Sequence, residues 1–143
     1  MPESSSIPAK RKRLVAERAG GICEYCRCPE HFSSTPFSIE HIIPRILGGS
    51  DDLENLAFAC RGCNNIKFVK TSGIDPETNL MSPLFHPRQH VWREHFCWDD
   101  SLLNLMGLTP IGRATIETLK LNREEVQNLR RALFLIGEHP PQT

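Results

Sequence analysis

Two Cys-x-x-Cys pairs constrain this chain more than anything else in it. Cys23 and Cys26 form the first, Cys60 and Cys63 the second. Four thiolates in two such pairs suit a closed tetrahedral zinc site. Four protein ligands leave no position for a substrate, so the predicted zinc is structural. An alternative set exchanges Cys26 for Cys28 or His31. Between the pairs lie an acid–histidine pair, Glu40-His41, and then Asn55; Asn64 directly follows the last cysteine. A metal staple would gather these polar segments around one imidazole.

Composition narrows the setting. The chain has 143 residues, 39% hydrophobic and 24% charged, ordinary for one soluble globular domain. No apolar run approaches the ~20 residues of a membrane-spanning helix; the longest is Ala132 to Ile136. The basic block Lys10 to Arg13 has no apolar stretch after it and so does not read as a secretory leader. Six cysteines without such a leader favour metal-bound thiolates in a reducing cytoplasm over disulfides. Seventeen basic and 17 acidic residues cancel, which argues against a nonspecific nucleic-acid coat. The charge is clustered, however. Arg45, Arg61, Lys67 and Lys70 surround the polar segments, and acids gather at Asp51, Asp52 and Glu54 and at Asp99 and Asp100. A local basic face binds phosphate while the total stays neutral.

Local patterns place these residues on elements. Met1 to Ile7, with three serines, reads as a disordered tail, and Pro8 to about Ala19 as a helix with Leu14 and Val15 inward, stopped by Gly20-Gly21. Phe37 to His41 alternates as a strand, Ile42 to Glu54 is a long loop, and Leu56 to Ala59 is the returning strand. A short helix begins at Cys63 and runs to Lys70. Thr71 to Pro87 carries three prolines and reads as loop, and Val91 to Trp98 as a strand. Thr109 caps a helix with Pro110 at its first position. Asn122 to Glu125 resembles a capping box, followed by an inward stripe of Val126, Leu129, Leu133 and Ile136. Cys28 and Cys97 are predicted to be buried free thiols, and His95 is the one other histidine in an aromatic setting, between Trp92 and Phe96.

Taken together, Cys23…Cys26…Glu40-His41-Ile-Ile-Pro…Gly48-Gly49…Asn55-Leu56…Cys60-x-x-Cys63-Asn64-x-x-Lys67 resembles an HNH endonuclease of the zinc-stapled branch, in the variant with asparagine at the third signature position. The resemblance covers Gly20 to Lys70. The run Pro83 to Gln89, Trp92 to Phe96 and Gly112 to Thr115 is similar to the tail of bacterial members. The resemblance implies an α+β fold with a ββα-metal core at about 20–70, an N-terminal helix and a supporting C-terminal segment at 71–143, all in one domain.

It also implies roles. His41 activates the attacking water, which imidazole chemistry near neutral pH permits. Asn55 holds the loop that carries His41 and so orients the ring. Glu40 and Asn64 are predicted ligands of a second, catalytic ion, and their hard oxygen donors suit Mg²⁺ or Mn²⁺. Arg45, Lys67 and Lys70 are candidate phosphate contacts. The implied activity is hydrolysis of DNA phosphodiesters, leaving 5′-phosphate and 3′-hydroxyl ends; RNA stays open as a substrate. The alternative is a non-catalytic zinc-knuckle module that binds nucleic acid. A nuclease toxin with an inhibitor partner is a third, weaker reading.

Overall fold

The computed structural model describes residues 7–142, so the predicted tail lies outside it except for Ile7. Ile7 is no tail residue. It is buried in a cluster with Val15, Leu56 and Phe58. Helix α1, Ala9–Arg18, contributes Val15 to that cluster, but Leu14 points outward, 43% exposed. One turn of helix seats only one of two adjacent residues on a narrow contact face. Gly20 and Gly21 both take positive φ and end the helix as expected.

The centre of the molecule is an antiparallel pair and a helix. Strand β1, Ser38–His41, pairs with β2, Leu56–Ala59, in a register that sets Glu40 opposite Ala57 and His41 opposite Leu56. Strand β2 is buried along its whole length, which suits its unbroken apolar run. Helix α2, Arg61–Lys67, starts earlier than expected because Cys60 caps it: the Cys60 Sγ accepts from the Cys63 backbone N–H at 3.4 Å. This ββα unit is what the resemblance implied.

The second half is more structured than its prolines suggested. A hairpin of β3, Ser72–Ile74, and β4, Met81–Pro83, occupies the predicted loop. Gly73 makes it possible, since a Cβ there would lie 2.0 Å from the Thr118 Oγ1 on helix α4, Pro110–Leu119. The predicted strand at Val91 to Trp98 divides into one helical turn, α3, Trp92–His95, and strand β5, Phe96–Trp98, which pairs with β6, Leu105–Gly107. Thr109 caps α4 as expected, accepting from the Gly112 N–H at 3.1 Å. Helix α5, Glu124–Leu135, has no side-chain cap. Asn122 is drawn away instead: its amide oxygen accepts from the Leu105 N–H and its amide nitrogen donates to the Leu105 carbonyl. Val126 and Leu133 are buried, but Ile136 lies past the helix end and is exposed.

The fold is therefore mixed α+β, with five α-helices and three small two-stranded sheets among the described residues. The larger core draws on both halves of the chain. Tyr25 and Ile42 of the ββα half pack in one cluster with Phe85, Trp92, Phe96, Leu119 and Leu121 of the other. No helix among the described residues is long and apolar enough to cross a membrane.

Candidate active site and metal staple

The two knuckles meet as the spacing requires. The Sγ atoms of Cys23, Cys26, Cys60 and Cys63 all lie within 4.8 Å of one another, and Cys26 and Cys60 are 3.7 Å apart. A tetrahedral zinc–thiolate site with Zn–S bonds of ~2.3 Å puts its sulfurs roughly 3.8 Å apart. The donor set thus fits zinc, and neither Cys28 nor His31 belongs to it. In each knuckle the second cysteine's backbone N–H donates to the first cysteine's sulfur at 3.4 Å. Such hydrogen bonds hold sulfur lone pairs toward the metal position. Cys28 is buried beside the tetrad, whereas Cys97 is only half-buried.

His41 stands at the end of β1, where the chain enters its long loop. That loop is pinned by Asn55, whose amide oxygen accepts from the Ile43 N–H at 2.8 Å while its nitrogen donates to the carbonyls of Ile43 and Ser50. The pinning brings Asp51 back onto the histidine: His41 Nε2 and Asp51 Oδ1 are 2.7 Å apart. Hydrogen bonds from His41 and then from Arg45 hold the Asp51 carboxyl below its usual range, so it is an ionised acceptor. Nε2 consequently donates to the carboxylate, and Nδ1 is the ring nitrogen that Asp51 does not engage. Nδ1 makes no hydrogen bond among the described residues. His41 shares a cavity of about 260 Å³ with Glu40, Pro44, Arg45, Asn64 and Phe68. The Asn64 side chain also makes no hydrogen bond among the described residues.

Residues 23–69 match the family model described as HNH endonuclease. This segment is similar to the HNH endonuclease family. The matched segment spans both knuckles, His41, Asn55 and Asn64, and takes in about a third of the chain. No curated protein and no solved structure matches the chain significantly.

Within the matched segment, Glu40 and Lys67 are engaged with each other. Both are almost wholly buried, and they form an ion pair, Lys67 Nζ donating to Glu40 Oε2 at 2.5 Å and to the Ile42 carbonyl at 2.9 Å. The other carboxylate oxygen accepts from the Tyr25 hydroxyl at 2.6 Å. Burial pushes the Glu40 carboxyl above its usual range, against the opposing pull of Lys67. Lys67, expected as a phosphate contact, is held inward by these bonds. A carboxylate neutralised by an ammonium also has little attraction left for a divalent cation. With its carboxylate held by Lys67 and Tyr25, Glu40 does not fit a catalytic Mg²⁺ or Mn²⁺, which leaves Asn64 as the one expected ligand whose side chain is unengaged among the described residues.

Arg45 is exposed beside the cavity, its guanidinium 3.0 Å from Asp51 Oδ1. Lys70 is exposed just past α2, and its ammonium donates to the Ile66 carbonyl at 2.9 Å. His95 lies in a ring cluster with Phe85 and His90, and its Nδ1 is 2.6 Å from the Thr109 hydroxyl.

Two partners of the site residues are not legible in the sequence. Asp51 sits ten residues from His41, and in the sequence it looks like one more surface acid. Arg123 comes from the opposite half of the chain, its Nη2 3.7 Å from Cys60 Sγ and 3.5 Å from Cys63 Sγ. Gly62 makes room for it, since a Cβ there would lie 2.7 Å from that nitrogen. No local signal marks either residue.

Proposed function

We propose that this protein is an endonuclease that hydrolyses nucleic-acid phosphodiesters, with His41 as general base. The observation that carries the reading is His41, paired with Asp51 and sharing one cavity with Asn64. Water on the Nδ1 side gives its proton to the imidazole as its oxygen attacks phosphorus. The P–O3′ bond breaks, the 5′-phosphate remains on one fragment, and the 3′ oxygen takes a proton from solvent. The Asp51 carboxylate stabilises the imidazolium that forms, and Asn55 keeps the loop in register. Arg45 brings positive charge to the phosphate at the cavity, and Lys70 adds an exposed cation just past the end of α2. DNA is the proposed substrate and a reducing cytoplasm the proposed setting, on the family resemblance and the free thiols.

Mg²⁺ or Mn²⁺, the cofactor the family implies, would supply charge stabilisation at the phosphate. Lys67 and Tyr25 hold the Glu40 carboxylate that would have bound it. That same pair favours a second reading, a zinc-knuckle module that binds nucleic acid without cutting it. Plasmid cleavage with Mg²⁺, Mn²⁺ or a chelator, wild type beside His41→Ala, separates the two. Nuclease action predicts cleavage by the wild type and a loss of ~10²–10⁴-fold in the variant. Asp51→Asn should lose a smaller part of that rate with binding unchanged. Equal cleavage by wild type and His41→Ala, or none by either, removes the catalytic reading.

A further inference from the structure

Phe68 occupies the backbone position least suited to it. The chain turns at Lys67-Phe68-Val69-Lys70, closed by the Lys70 N–H donating to the Lys67 carbonyl at 2.8 Å. Phe68 has φ 50° and ψ −116°, the first central position of a type II′ turn. Glycine is favoured there, because a Cβ at positive φ strains the backbone. A bulky side chain in that region is an outlier that the rest of the structure must sustain.

Burial does not repay the strain. The Phe68 side chain is 71% exposed and belongs to neither apolar core cluster. It stacks on no other ring among the described residues. It does line the cavity that holds His41, Asn64 and Arg45. In the turn that carries Arg45, Ile46 is also strongly exposed. The cavity is thus polar and cationic where a phosphate would sit, with a bare aromatic ring at its edge. Phosphate contacts position a strand; an exposed ring next to them offers a face to a base.

We infer that Phe68 is a nucleobase-stacking residue, taking an unstacked base beside the phosphate that His41 serves. The inference rests on the nuclease reading for its ligand, though binding alone suffices to test it. Stacking on one aromatic side chain contributes enough that its removal weakens binding roughly 5- to 150-fold. The strained turn makes a second, opposite expectation: Phe68→Gly relieves the backbone while deleting the ring.

The test uses full-length protein in the His41→Ala background, titrated against short single-stranded and duplex DNA carrying 2-aminopurine. Phe68→Gly and Phe68→Ala should lose affinity by the factor above and lose the change in 2-aminopurine emission. Phe68→Trp and Phe68→Tyr should keep both. Phe68→Gly should melt no lower than its parent, which excludes misfolding as the cause. Unchanged affinity in Phe68→Gly overturns the inference, and so does full retention in Phe68→Leu, which would make the contact merely apolar. Failure of this inference leaves plasmid cleavage untouched. Absence of cleavage with ring-dependent binding instead removes the nuclease reading and keeps the stacking site.

Discussion

Arg123 places a guanidinium against two thiols of the tetrad, and a Cys₄ zinc site carries a net charge of −2 that such a group offsets. Arg123→Met should therefore weaken zinc retention by about 10–100-fold, read by competition with a chromophoric chelator. Arg123→Lys should recover part of it, since a point charge returns without the fork. Zinc retention equal to wild type in Arg123→Met would make the contact incidental. At this scale the sequence was legible where spacing is local. The four cysteines, His41 and Asn55 could all be singled out because each lies in a short motif. Asp51 and Arg123 could not, since only the folded loop and the C-terminal half bring them to their partners. The Glu40–Lys67 ion pair was not legible for a related reason: 27 residues separate the partners, and only the folded β1 and α2 bring them together.

Among elements, the β3–β4 hairpin shows best how packing overrides local preference. Its prolines and glycine argued for loop, yet Gly73 is what lets the hairpin lie against α4. The hairpin is further tied down by Asp75, fully buried, which Arg113 of α4 grips through Nε and Nη2, each at 2.9 Å. Hydrogen bonds from Arg113 hold the Asp75 carboxyl below its usual range. A lowered carboxyl contributes stability that is complete above its unfolded pKa, about 4, and is lost as pH falls below it. Asp75→Asn should melt lower than wild type at neutral pH, with the gap closing as the solution is acidified below about pH 4. A gap independent of pH would show that shape, not charge, ties hairpin to helix. The cap at Thr109-Pro110 was legible because its chemistry is contained in four residues. Asn122 was misjudged because its partner, Leu105, lies on β6, 17 residues earlier in the chain.

Across the whole molecule, the cysteine tetrad and the C-terminal half are mechanically joined. Arg130 is fully buried and donates to the carbonyls of Cys26, Leu103 and Leu121, so α5 is fastened to the first knuckle. Arg130→Met leaves these carbonyls unpaired and should cost at least about 3 kcal/mol in urea unfolding. Removing zinc should loosen the far half as well. Both tryptophans, Trp92 and Trp98, lie there, so their fluorescence should shift in the same transition as the loss of helical circular dichroism, and Cys60→Ser should reproduce it. Two separate transitions would mean two independent units. The separation along the chain also sets an order of assembly. Cys63 leaves the ribosome 60 residues ahead of Arg123, and Arg130 follows Cys26 by 104. The tetrad is complete while its guanidinium lid is still unsynthesised, so the nascent chain meets zinc with the knuckles open. Once α5 docks, an exchanging ion must wait for that helix to let go.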